Sequence, residues 1–352
     1  MNEIARTFQS FIGWRLAGKR LRSPLGALLA ALSLVAAACA PVQQTALRPT
    51  GAVTPGFHDR VFTSFDGAKL GLNVWRPEAG VQLASASAGP RAANEQQELV
   101  IVGVHGMNDY AGLFNASGPW WARQGVTVYA YDQRGFGRSP NPGVWPDHEV
   151  MREDLRTAVE IARRRHPDAR IAVVAESMGA ALAMTAFGSE DPPDADILAL
   201  SAPGLRGWGA LPALYKASLW LSAHVRPGWI VRPPRGVQIT PTDNTDKLIE
   251  MWEDENVLKD TRIDAVYGVV SLMEEADEAV TRISADTPVL FMYGARDEII
   301  LPEGVERTAR RLPDHVRTAY YEDGYHMLLN DLQAETIWRD VLEFMRSDGE
   351  EV

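Results

Sequence analysis

The chain is short of the residues that build several common kinds of site. It has one cysteine in 352 residues, Cys39, which excludes an intramolecular disulfide and a cysteine-rich zinc centre. No Walker sequence, no H-E-x-x-H and no G-x-G-x-x-G between a strand and a helix is present, so the sequence implies no metal and no organic cofactor. Its longest apolar run, residues 25–38, is shorter than the ~20 residues that cross a bilayer as a helix. Positive charge is also scarce. Of the formal net charge of -11, residues 1–38 contribute +4 (five basic side chains against Glu3), which leaves -15 on the remainder. A body of that sign is repelled by phosphate backbones, and nucleic acid is not an expected partner. No internal repeat is evident.

The N-terminal segment carries a different signal. Arg15, Lys19, Arg20 and Arg22 precede the Leu- and Ala-rich run, which stops at Ala36-Ala37-Ala38-Cys39. This order of basic, apolar and small residues is that of a secretory signal peptide over 1–38. A cysteine after three small residues resembles the lipobox of bacterial lipoproteins, where that cysteine is lipidated. The resemblance implies lipidation at Cys39 and a membrane-anchored protein facing the periplasm, with Ala40 favouring the outer membrane. Simple secretion after Ala38 and an uncleaved anchor are the alternatives. Residues 39–56, with three prolines and no hydrophobic period, read as a flexible tether.

Beyond the tether the expected architecture is α/β. Residues 60–64 and 69–75 read as strands of a hairpin around Asp66-Gly67. The stretch 78–98, rich in Ala, Ser, Gly and Gln, reads as a loop. Continuous apolar runs follow at 99–104 and 126–131, and further strands at 171–175, 197–200, 289–293 and 316–321, separated by helical patterns such as 148–165, 178–187 and about 332–346. Uninterrupted apolar strands alternating with helices indicate a mostly parallel, doubly wound sheet. The alternation lapses over 204–285, which reads as a helical cap inserted into a core of 57–203 and 286–348.

Chemistry gathers at the ends of these strands. Ala175-Glu176-Ser177-Met178-Gly179 lies where a strand turns into a helix, the setting of a nucleophile elbow with alanine in place of the first glycine. A serine hydroxyl needs a base. Of seven histidines, His326 follows the last strand in Asp323-Gly324-Tyr325-His326, whereas His58, His148, His166, His224 and His315 read as surface or packing residues. A carboxylate must orient the imidazole. Asp297, just after the strand at 289–293, is the candidate, with Glu298 as the fallback. The order Ser177, Asp297, His326 is the one an α/β-hydrolase triad follows. Oxyanion donors are expected from the backbone N–H of Met178 and of Met107, in His105-Gly106-Met107-Asn108-Asp109. His105 reads as a residue that holds this loop, and Asn108 and Asp109 as structural in preference to substrate-binding. Tyr131-Asp132-Gln133-Arg134-Gly135-Phe136-Gly137-Arg138-Ser139 lacks phosphate-loop spacing and reads as a structural loop.

Taken together, His105-Gly106, Tyr131-Asp132-x-Arg134-Gly135-x-Gly137-x-Ser139, the Ser177 elbow, Asp297 and His326 resemble the α/β-hydrolase superfamily over residues 57–348. Within it the chain resembles bacterial monoacylglycerol lipases and lysophospholipases. The resemblance implies ester hydrolysis through an acyl-enzyme on a small acyl ester or lipid. Leu219, Trp220 and Leu221 of the cap suit an acyl chain, or else merely pack the cap. An amidase, peptidase or acyltransferase on the same triad is the rival within enzymes. A non-catalytic lipoprotein binding module is the rival outside them. The oligomeric state is left open.

Overall fold

The computed structural model describes residues 41, 43–78, 97–205, 207–232, 239–300, 302–347 and 349. The expected signal peptide and Cys39 lie outside the described residues, as does most of the expected loop at 78–98. In chain order the strands are β1 (Gly56–His58), β2 (Val61–Thr63), β3 (Lys69–Trp75), β4 (Leu99–Val104), β5 (Val126–Tyr131), β6 (Arg170–Glu176), β7 (Ile197–Ser201), β8 (Ile230–Val231), β9 (Thr261–Arg262), β10 (Val289–Gly294) and β11 (Val316–Tyr321). The helices are α1 (Ser117–Arg123), α2 (His148–Arg165), α3 (Met178–Phe187), α4 (Ala213–Val225), α5 (Thr245–Glu253), α6 (Ile263–Ala279), α7 (Pro302–Ala309) and α8 (Ala334–Arg346).

Nine strands form one sheet in the order β1-β2-β3-β5-β4-β6-β7-β10-β11. It is antiparallel from β1 to β5 and parallel from β5 to β11. Every residue of β4, β5, β7 and β10 is buried. That is why these strands read as unbroken apolar runs: helices cover both faces, and both sets of alternating side chains enter a core. On β4, Val100, Val102 and Val104 join Met151 and Leu155 of α2 and the small residues of α3. Leu99 and Ile101 point the other way, to Trp121 of α1 and to Ile337, Val341 and Phe344 of α8. The edge strand β11 has no fully buried residue, and its sequence is correspondingly more polar. Asp147 starts α2 by accepting hydrogen bonds from the N–H groups of Glu149 and Val150.

Two expected boundaries are corrected. The tether over 39–56 is not free along its length. Gln44 is buried, donates from its backbone to Trp145 O (2.9 Å), and its side-chain amide donates to Val144 O (2.6 Å). Leu47 N donates to Asp66, and the segment then enters β1. The Gln44 side chain and the Leu47 backbone fasten it to loops at two points, while residues 45–52 remain exposed. The cap over 204–285 also ends early. Ala265, Val269, Leu272 and Ala276, at helical spacing on α6, join the core cluster that holds α3 and β6. The inserted part is therefore about 204–262, with α4, α5 and the short antiparallel pair β8–β9, and α6 is a layer helix.

The hairpin turn has a second use. Arg134 in the loop after β5 makes a buried double fork: its guanidinium donates to both oxygens of Asp66 (2.8 Å each) and both of Asp154 on α2 (2.6 and 2.8 Å). Burial pushes both carboxyls up. At Asp66 the Arg134 guanidinium and two backbone donors outweigh it, whereas at Asp154, which is more deeply buried, burial prevails. Ser64 adds a hydrogen bond to Asp154. Removing one partner of such a set leaves charge buried and unpaired, which costs about 3–5 kcal/mol. Arg134→Ala is therefore expected to lower unfolding stability by about that amount, measured by urea denaturation at pH 7; a change below about 1 kcal/mol would be too small for a buried ion pair that has lost its partner.

Candidate active site

Ser177 occupies the turn between β6 and α3 with φ 55° and ψ -116°, a region costly for any residue but glycine. The surroundings hold it there. Its N–H donates to Ser201 O (3.0 Å), and its carbonyl accepts from Ala181 N and Gly204 N (3.0 Å each). Gly179 allows α3 to lie against β4, since a Cβ at that position would stand 2.5 Å from the carbonyl oxygens of both Val104 and His105. Ala175, the departure from the usual elbow, is fully buried among core residues that accommodate its methyl group.

The other two candidates come from loops at the same end of the sheet. His326 Nε2 lies 2.9 Å from Ser177 Oγ, and Nδ1 lies 2.8 Å from Asp297 Oδ2. A carboxylate only accepts, so Nδ1 carries the proton, and in the neutral ring Nε2 is left to accept from the serine hydroxyl. Asp297 is buried, and its Oδ1 accepts from Ile299 N and Ile300 N (2.8 and 2.9 Å), so its orientation does not depend on the histidine. The histidine loop is tied at Tyr325 N to Asp331 Oδ2 and at Met327 N to Pro241 O. The two loops also bond to each other, Arg296 N to Gly324 O at 2.8 Å. The fallback Glu298 is exposed and accepts from Thr240 N; it does not reach the imidazole's place.

The loop after β4 runs beside Ser177, so close that a Cβ on Gly106 would stand 3.3 Å from Ser177 Cβ. His105 holds its base. Nδ1 donates to Gly106 O (2.7 Å), Nε2 accepts from Gln133 N (2.8 Å), and the Gln133 amide donates to His105 O (2.7 Å). Complete burial pulls the pKa of His105 down to about 4, so it stays neutral as the pattern requires. Met178 is the first residue of α3, where the helix leaves N–H groups without an intrahelical partner. Met107 follows Gly106 on the same loop. The cap residues separate. Leu219 is buried against a cavity of about 270 Å³ shared with Leu211, Tyr215 and Val270. Trp220 and Leu221 are exposed, with Trp220 stacked on His224 at 4.2 Å.

Partners that no local pattern announces complete the region. Asp132 accepts from Ala111 N and from the backbone and guanidinium of Arg138, tying the loop after β5 to the segment after β4. Glu176, next to the serine, is buried, and burial with Asp109 and Asp331 nearby pushes its carboxyl well above the usual range. Asp109 is raised to about 6, first by burial. An acid that is harder to ionise in the fold binds a proton that the unfolded chain releases. Stability therefore falls as pH rises from the ordinary 3.8 to about 6, and is level above that. Asp109→Asn retains an acceptor for Tyr110 N, which bonds Asp109 Oδ1 at 2.8 Å, and is expected to raise the melting temperature at pH 8 but not near pH 4. A gain equal at both values would sink this account of Asp109.

Comparison with known proteins identifies the family and the fold. The profile of the family described as serine aminopeptidase, S33, matches residues 95–333. A monoacylglycerol lipase of Mycolicibacterium smegmatis is 23% identical over 290 residues, covering 81% of this chain and 96% of that protein. Among solved structures, monoacylglycerol lipase from Paleococcus ferrophilus superposes with a TM-score of 0.60 at 21% identity, covering 79% of this chain and 99% of that one. A soluble variant of monoglyceride lipase from Saccharomyces cerevisiae, in complex with a substrate analog, gives 0.65 at 16% identity, covering 86% and 98%. The shared fold is that of an α/β-hydrolase. With about two thirds of its length inside the family profile, the chain belongs to the serine aminopeptidase S33 family of α/β-hydrolases.

Proposed function

We propose that the protein hydrolyses carboxylic esters of lipid type, of the monoacylglycerol or lysophospholipid kind, through an acyl-enzyme on Ser177. The observation that carries this reading is the unbroken relay from Asp297 through His326 to Ser177 Oγ. His326 Nε2 accepts the hydroxyl proton as Oγ attacks the ester carbonyl, and Asp297 stabilises the imidazolium that forms. The oxyanion that develops is held by the N–H groups of Met178 and Met107, each worth roughly 3–4 kcal/mol in such sites. His326 then returns the proton to the leaving alcohol. It next draws a proton from a water that attacks the acyl-enzyme, which releases the acid and restores Ser177.

The lipid class is supported by the names of the relatives and by the cap. Leu214, Trp220, Leu221, Trp229 and Trp252, all from the inserted region, are large apolar side chains exposed to solvent, and Leu219 faces an apolar cavity. An amide substrate is the second reading, and the family's description as a serine aminopeptidase is what favours it. Both begin with the same acylation, so only substrates separate them.

The test is labelling of Ser177 with a fluorophosphonate, followed by esters from acetyl to palmitoyl, monoacylglycerols, lysophospholipids and aminoacyl amides given to residues 40–352. Labelling, with turnover of the long-chain monoacyl esters, is expected. Ser177→Ala and His326→Ala are each expected to lose about 10⁴-fold or more in kcat with the fold intact; turnover surviving in Ser177→Ala would name a different nucleophile.

The N-terminal reading belongs to the same proposal. Lipidation at Cys39, on the periplasmic side of the outer membrane, would hold the enzyme at its substrate. Cells expressing the full chain and fed an alkyne fatty acid are expected to label the protein and retain it in the membrane fraction. Cys39→Ser should abolish both, and a label that persists in Cys39→Ser would rule out this anchor.

A further inference from the structure

The oxyanion loop is held on one side by the core and on the other by the cap. Before Met107, His105 and Gln133 do the holding, as described above. After Met107 the partners come from the segment between α5 and α6, about 150 residues away in sequence. Asn108 has φ 65°, the left-handed region that asparagine tolerates better than other side chains. Its carbonyl accepts from Leu258 N (2.8 Å), and its side-chain amide donates to Thr261 Oγ1 (2.8 Å). Two residues further on, the Tyr110 hydroxyl donates to Asp254 Oδ2 (2.6 Å).

The segment that supplies these partners is itself knotted. Lys259 Nζ donates to the carbonyls of Met251, Asp254 and Val257 at 2.6, 2.7 and 2.8 Å. Asp254 Oδ1 accepts from both the backbone and the side chain of Asn256. Val257 is buried in the core cluster that holds Tyr110, and Leu258 packs against the other cluster. Residues 254–261 thus form a strap with internal support, fastened across Asn108 and Tyr110.

A donor aimed at an oxyanion must be placed to within a few tenths of an ångström, and the direction of the Met107 N–H depends on the dihedral angles on either side of it. We propose that the strap is a positioning element for the oxyanion donor, with Thr261 acting through Asn108, and Asp254 through Tyr110, on the Met107 N–H. A cap that lifts at 254–261 would loosen the oxyanion site without touching Ser177, His326 or Asp297. The inference rests on the hydrolase reading above, since the donor matters only if an oxyanion forms.

The experiment uses the full chain in detergent with Thr261→Val, Tyr110→Phe, the double variant and Thr261→Ser. Each is assayed on an oxygen ester and on the matching thionoester, whose C=S sulfur is larger and a weaker hydrogen-bond acceptor. A well-placed oxyanion site discriminates between the two, so their ratio of kcat reads placement of the donors and not general damage. Thr261→Val and Tyr110→Phe are each expected to lower kcat on the oxygen ester about tenfold, less than the roughly 10²–10³ that a whole donor supplies. KM should stay within about twofold, and the oxygen-to-thiono ratio should collapse while Thr261→Ser preserves it.

Variants that keep the wild-type kcat and ratio would overturn the proposal. So would variants that lose both esters equally, because that pattern means the strap only anchors the cap. Unaltered protein that neither turns over an ester nor reacts with a fluorophosphonate would overturn the hydrolase reading itself, and the strap with it.

Discussion

The structure turns on one strained residue. Ser177 adopts a positive φ at the end of a buried parallel strand, and it stays there only because β4, β6 and α3 meet closely around it. The close approach needs Gly179, where any side chain would strike the carbonyls of Val104 and His105. Those carbonyls belong to the end of β4 and the start of the proposed oxyanion loop. The contact that permits the serine turn therefore also sets where that loop begins. Local strain of about 1–3 kcal/mol is sustained by a sheet that is buried on both faces and cannot relax around it.

The loops at this end of the sheet are organised by buried polar groups more than by apolar packing. Asp132 gathers the segment after β4 and the turn at Arg138, Arg134 gathers the hairpin turn and α2, and His105 joins its own loop to Gln133. Each of these groups would be costly to bury alone, and each is satisfied by partners from two or three separate segments. Such sets fix one arrangement of loops, because a partial set leaves a charge or a donor stranded. The three residues of the proposed triad benefit from this: Asp297 and His326 are each held by bonds that do not involve the serine.

Much of this was readable in advance, for a physical reason. Strands buried on both faces must be apolar throughout, so β4, β5 and β10 begin where the apolar runs begin, and α2 spans the residues its periodicity predicts. The elbow was legible because a serine between a strand and a row of small residues has few other uses, and the chain order of Ser177, Asp297 and His326 narrowed the partners. Less was legible where polar residues make contacts distant in sequence. Gln44 reads as part of a solvated tether, yet it is buried against the loop at Trp145. Helix α6 reads as cap because no strand interrupts the region, yet its stripe of Ala265, Val269, Leu272 and Ala276 faces the core.

By itself, then, the sequence determined the order of strands and helices, the place of the serine turn, and which residue types stand at the strand ends, since these depend on local periodicity and on residues adjacent in the chain. The tertiary structure decided that Asp297 and not Glu298 bonds His326, the neutral state of His105, and the fastening of Asn108 and Tyr110 to the cap segment. It also separated Leu219, which is buried, from Trp220 and Leu221, which are not. Each of these depends on which polar or apolar groups meet across 20 to 150 residues of chain, and neither composition nor spacing records such meetings.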